Sequence, residues 1–136
     1  MYNTNKPARA TRNLALAALA LACAAGPALA AFPKSVVGTW NMVANQTELI
    51  LVISTQGATG VCRLITGTLT PAATNIQGFY CPSSGIISFL RKDPVNNDTF
   101  QVFKGNAHIT TATDRLSGAF DHISLPYGQY GWYAAK

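Results

Sequence analysis

The stretch VCRLITGTLTPAATNIQGFYC, Val61 to Cys81, reads as a β-hairpin clamped by its own disulfide. Cys62 and Cys81 are symmetric about the boundary between Pro71 and Ala72, so a turn at Thr70–Thr74 sets the two sulfurs opposite each other on neighbouring antiparallel strands. Cross-strand partners have Cβ atoms about 4.5–5.5 Å apart, from which small adjustments reach disulfide geometry. The same register puts Tyr80 opposite Arg63 and Gly78 opposite Ile65. A bridge over about 20 residues stabilises by roughly 3 kcal/mol in the chain-entropy account.

On either side of this hairpin the pattern stays at period two, rich in β-branched and aromatic residues and broken by turn residues every 8–15 positions. Eight strands are expected, near Val36–Ala44, Glu48–Thr55, Gly60–Thr70, Asn75–Cys81, Gly85–Lys92, Thr99–Asn106, Arg115–Ser124 and Gln129–Ala135. Gln56-Gly57, Pro82–Ser84, Asp93–Asp98 and Pro126–Gly128 supply the turn chemistry between them. No stretch of this region holds a 3.6-residue apolar period, so little helix is expected. Short connections leave a closed meander barrel or a sandwich. Closure removes exposed edges, which a strand as apolar as Leu49-Ile50-Leu51-Val52-Ile53 would otherwise offer for aggregation. The expected fold is therefore all-β, an eight-stranded antiparallel up-and-down barrel with one cross-strand disulfide. That second strand is apolar on both faces, so one face is expected to be covered by something besides the interior, such as another subunit.

The first 30 residues read as an export signal. Lys6, Arg9 and Arg12 form a positive region, Asn13 to Ala25 is an uncharged apolar run, and Ala28-Leu29-Ala30 is a cleavage signature. The run is too short to span a bilayer, which takes about 20 apolar residues. The expected division is a leader over 1–30 and a single barrel domain over 31–136, secreted or periplasmic. A lipoprotein anchor at Cys23 is the rival, and Ala20-Leu21-Ala22 departs from the usual leucine-first lipobox. Loss of the leader removes three of ten basic residues and no acidic one, leaving seven against five, a formal +2. Such a charge spread over one domain gives no footprint for nucleic acid. The basic pair Arg91-Lys92, followed by Asp93, reads as a solvated strand end. Cys23 leaves with the leader, and the even pair Cys62 and Cys81 remains for the bridge.

Gly38-Thr39-Trp40 opens the first strand in the way a G-x-W motif opens calycin barrels, the superfamily of lipocalins and avidins. Ile65-Thr66-Gly67-Thr68-Leu69 resembles the avidin TGTY strand, Gly85–Lys92 sits where avidins carry a strand with two tryptophans, and Leu116-Ser117-Gly118-Ala119-Phe120 resembles their W-S-G-Q-Y strand. The order implies an avidin-like barrel. The biotin site does not come with it. The asparagine position two residues after the motif tryptophan is Met42, Asn41 points to the opposite face, the tyrosine position is Leu69, and the stacking tryptophans fall at Ile86, Leu90 and Leu116. A buried ureido group would lose about 1–3 kcal/mol for each hydrogen bond left unmade.

Avidin-like parity turns Trp40, Met42, Arg63, Ile65, Gly67 and Leu69 inward. With them go Gly78 and Tyr80, then Ile86, Ser88, Leu90, Leu116, Gly118 and Phe120. An apolar tube with an Arg63–Tyr80 pair near one rim suits a fatty acid or similar amphiphile, its carboxylate held by charge-assisted bonds to the guanidinium. The alternative is a solid barrel with these residues as filling, acting as an interaction or inhibitor protein through its outer surface. Tyr130 and Trp132 share one face of the last strand and Gln129, Gly131 and Tyr133 share the other; one of the two sets is expected to close the barrel against the first strand near Trp40.

Catalysis is not expected. Asp121 and His122 are strand neighbours on opposite faces, so the acid cannot orient the imidazole as in a triad. Ser83-Ser84-Gly85 is no nucleophile elbow. His108 is expected in a Thr/Ala-rich loop, and the set Cys62, Cys81, His108 and His122 lacks zinc-site spacing. No metal or cofactor is expected. Asn45-Gln46-Thr47 and Asn97-Asp98-Thr99 are formal glycosylation sequons.

Overall fold

The computed structural model describes residues 32–92, 100–109, 113–123 and 127–136. The expected leader, the turn expected at Asp93–Asp98, Pro126 and the Asn97 sequon lie outside these residues. Eight strands follow one another: β1 (Gly38–Ala44), β2 (Thr47–Gln56), β3 (Arg63–Leu69), β4 (Thr74–Cys81), β5 (Ile86–Lys92), β6 (Phe100–Ile109), β7 (Asp114–His122) and β8 (Gly128–Ala135). Each pairs antiparallel with the next, and β8 returns to β1, from Asn41 opposite Ala135 to Ala44 opposite Trp132. The result is a closed up-and-down barrel. None of the described residues forms a helix long and apolar enough to cross a membrane.

The organising hairpin forms in the expected register, with Arg63 opposite Tyr80 and Ile65 opposite Gly78. Cys62 and Cys81 are joined, their Cα atoms 4.0 Å apart. The strand β3 starts at Arg63 rather than at Gly60, because residues 57–62 turn and Gly60 takes a φ of +98°. His108 lies on β6 opposite Arg115 rather than in a loop. The ladder runs on there because Ala107 is buried and its N–H donates to the Gly85 carbonyl at 2.7 Å.

Alternation along each strand builds the interior in layers. Leu51 and Ile53 of β2 face inward and are buried, while Ile50 is exposed and Val52 half-buried on the outer wall. Trp40, Met42, Leu69 and Leu116 join them in the central core, none more than 1% exposed. Each large side chain buried in this way stabilises by about 1.5–3 kcal/mol. Gly105 and Gly118 are paired on β6 and β7, where the backbones approach too closely for side chains. A Cβ on Gly118 would lie 2.0 Å from the Lys104 carbonyl oxygen, and one on Gly105 would lie 2.9 Å from the Trp132 ring.

The two ends of the barrel differ. At the end carrying the β2–β3 and β4–β5 connections, the segment before β1 folds across the opening. Val36 and Pro33 are buried there. The Val36 N–H donates to Gln56 Oε1 at 3.0 Å, and Trp40 Nε1 donates back to the Val36 carbonyl at 2.9 Å. The Tyr80 hydroxyl donates to the Pro33 carbonyl at 2.5 Å. Lys136 closes the same end, its Nζ 4.5 Å from the Trp40 ring centroid and 3.0 Å from the Val37 carbonyl oxygen. This end is sealed.

Candidate ligand cup at the open end

At the opposite end, near the Asn45-Gln46 turn and Pro71, a cavity of about 360 Å³ opens between β1–β2 and β5–β8. Its floor is a row of rings in one register. Phe89 pairs with Phe103, Phe103 with Phe120, and Phe120 with Tyr130. Phe89, Phe103 and Phe120 stack in that order with centroids 4.7 and 4.8 Å apart, and Tyr130 leans on Phe120 at 5.3 Å with its plane tilted by 33°. Such contacts each contribute about 0.5–1.5 kcal/mol beyond area burial. Trp132 supports the row from below, edge-on to Phe89 and Phe103. Its Nε1–H is shared between the carbonyls of Lys104 at 3.2 Å and Ala119 at 3.1 Å, which fixes the indole against the glycine pair.

One register step nearer the mouth, the next inward row is polar: Arg91 opposite Gln101, and Gln101 opposite His122. Arg91 Nη1 donates to Gln101 Oε1 at 3.0 Å. Neither Arg91 nor His122 is free of contacts. The facing wall is Ala44, Asn45, Thr47, Leu49 and Pro71. Among the described residues lining the cup there is no acidic side chain. The arrangement offers an aromatic surface with a cation and amide donors along one side. Asp121, on the outer face, meets Gln129 Nε2 at 2.9 Å and Lys104 at 3.6 Å, so it does not act on His122. No three or more His, Cys, Asp or Glu among the described residues come together in a way that could hold a metal ion.

Several expected site residues lie elsewhere. Trp40, Met42, Leu69 and Leu116 do face inward, and they fill the core below the cup. Ile86, Ser88 and Leu90 do not face inward. Ile86 is 52% and Leu90 40% exposed, and Ile87 and Phe89 take the interior. The reason is the β4–β5 turn, where the N–H groups of Ser84 and Gly85 both bond the Cys81 carbonyl. This turn pairs Cys81 with Ile86 and Tyr80 with Ile87, so the inward face passes from Tyr80 to Ile87. Arg63 and Tyr80 are opposite each other as expected, but they sit at the sealed end. The Tyr80 hydroxyl is engaged by Pro33, and the Arg63 Nε is buried without a hydrogen-bond partner. They form no open rim.

Arg91, Gln101 and Phe103 were not legible as a site, because avidin-like parity turned Arg91 outward. The turn length between Tyr80 and Ile87 is the signal that carries the correct face. His122 enters the sequence reading only as a catalytic or zinc-binding candidate, and its inward position follows from its parity with Phe120. No protein-family model, curated protein or solved structure matches the chain.

Proposed function

We propose that this is an exported, non-catalytic barrel that binds a small apolar or amphipathic molecule in the cup at its open end. The observation that carries the reading is the aromatic row Phe103, Phe120 and Tyr130 lying one register step below Arg91, Gln101 and His122 at a concave mouth. Ligand sites are concave and mostly apolar, with a few convergent polar groups, and the cup has that composition. The leader-like N-terminus and the disulfide support export. The closed eight-stranded meander, together with the Gly38-Thr39-Trp40 motif, supports a calycin-like relationship in which biotin is not the ligand.

Native mass spectrometry of the protein purified from its own organism, paired with organic extraction, tests this reading. A stoichiometric small molecule supports it, and a bare chain counts against it. The oligomeric mass from the same spectrum tells whether the exposed Ile50 face is buried between subunits.

A second reading, an interaction or inhibitor protein acting through its outer wall, is favoured by one observation. Leu64 and Phe79 are register partners on the outside, 43% and 55% exposed, near exposed Ile86. If this reading holds, Phe79→Ser removes partner binding and leaves the stability of the barrel unchanged within about 0.5 kcal/mol.

A further inference from the structure

We infer that the sealed end of the barrel docks on an anionic lipid membrane. Docking of this kind is independent of the cup, and it gives the exposed Leu64–Phe79 pair a lipid partner in place of a protein. An apolar rim and a one-sided charge meet at this end.

The rim comes from β3 to β6 and the connections between them. Val61 lies in the β2–β3 connection, and Leu64, Phe79, Ile86 and Ile109 lie within two residues of a strand terminus at this end. All five are 43% to 77% exposed. They are also neighbours. Leu64 and Phe79 are register partners, Cys81 is the partner of Ile86, and the disulfide holds Cys62, next to Val61, against Cys81. Phe32, exposed as well, lies against Gly85, the residue before Ile86. Exposed apolar patches of this kind mark protein or membrane contacts. Val61 reaches furthest into solvent and ends the run Gly57-Ala58-Thr59-Gly60-Val61, every residue of which is exposed and uncharged. Such a loop enters a headgroup layer without burying a charge.

The charge favours an anionic surface. Lys34, Arg63, Arg115 and Lys136 stand at this end. Asp114 is the one carboxylate there among the described residues, 4.0 Å from Lys136. The connections at this end, residues 57–62, 82–85 and 110–113, contain no Lys, Arg, Asp or Glu. With histidine neutral the balance is four minus one, a formal +3. The other described carboxylates, Glu48 and Asp121, lie near the strand termini of the opposite end. Each Lys or Arg close to an anionic membrane strengthens attachment about fivefold. The same charge disfavours a second copy as the partner, since two such ends would set like charge against like. A barrel docked by this end turns its cup toward the water.

The test is flotation of the exported protein, purified from its own organism and with its N-terminus read by intact mass. Two kinds of vesicle are compared: pure phosphatidylcholine, and equal parts phosphatidylcholine and phosphatidylglycerol. The expected result is binding about tenfold or more tighter to the anionic vesicles, weakening as added salt screens the charges. Val61→Ser is expected to weaken it about fivefold. Lys34→Gln with Arg115→Gln is expected to remove most of the preference for anionic lipid. These side chains are exposed, so the melting temperature should hold in both variants. Equal binding to the two kinds of vesicle overturns the anionic assignment. Binding that neither variant changes overturns the placement at the sealed end. No flotation with either vesicle overturns the inference, and a dimer in solution that Val61→Ser dissolves would then assign the rim to a second copy. The comparison of vesicles needs no variant, and ligand binding in the cup is measured separately, so each reading can fail without the other.

Discussion

The Tyr80 hydroxyl donates to the carbonyl of Pro33, 47 residues away, inside the sealed end of the barrel. The bond ties the segment before β1 to the middle of the chain, and it changes the chemistry of the phenol. Burial, and then the nearby charge of Asp114, push the Tyr80 pKa up from 10.0 to about 12. Unfolded chains lose this proton near pH 10, whereas the folded protein holds it to about pH 12. Stability from this group is therefore complete below pH 10 and falls as the pH rises from 10 to 12, by roughly 2–3 kcal/mol. Tyr80→Phe is expected to lack that alkaline loss. At neutral pH it should cost about 1–3 kcal/mol, because the Pro33 carbonyl is left buried without a donor. Urea unfolding of both proteins at pH 7, 10 and 11.5 checks both expectations.

Gly118→Ala is expected to destabilise the barrel by more than about 2 kcal/mol, since the added methyl would meet the Lys104 carbonyl at 2.0 Å and the Gly105 Cα at 2.5 Å. Relief requires β6 and β7 to separate beneath Trp132. Gly131→Ala is the control, because nothing lies within 4 Å of its Cβ position. Its melting temperature should stay close to that of the unaltered protein.

Replacing both cysteines by serine removes the Cys62–Cys81 bridge, whose sequence separation is 19. The expected loss is about 3 kcal/mol, read as a lower urea midpoint. Ligand binding in the folded fraction should persist, because the bridge closes the end of the β3–β4 hairpin away from the cup. A variant that folds but no longer binds would contradict that separation of the two ends.

Lys136→Met keeps the aliphatic stem and removes the charge over Trp40 and the bond to the Val37 carbonyl. A cation over a ring face contributes about 0.5–2 kcal/mol, depending on its desolvation. The expected effect is a loss of about 1 kcal/mol, measured by equilibrium unfolding, with no change in affinity at the open end.

Much of the fold was legible because its signals are local. The symmetry of Cys62 and Cys81 about Pro71-Ala72 set the register of β3 and β4, and alternation located all eight strands to within a few residues. The inward positions of Trp40, Met42, Leu69, Leu116 and Phe120 follow from alternation set to avidin-like parity, whereas alternation leaves the inward face of β8, with Trp132, undecided. β5 was misread for a physical reason. In Ile86-Ile87-Ser88-Phe89-Leu90 both faces are apolar, so alternation alone does not choose between them. The resemblance to an avidin strand chose the wrong one. That slip of one residue put Arg91 on the outer wall and hid the cup.

The sequence by itself determined the eight strands and the disulfide, because side-chain periodicity, turn chemistry and cysteine spacing are encoded within a few neighbouring residues, while closure was favoured over a sandwich by the apolar second strand. Only the tertiary structure decided which end the segment before β1 closes. The segment from Phe32 to Val37 plugs one mouth through Pro33, Val36 and Gln56, contacts spanning 20 to 47 residues. The stack from Phe89 to Tyr130 draws on four strands whose rings meet only once the β4–β5 turn has fixed their common face. A site built from such distant partners has no local pattern, and barrel closure brings it together.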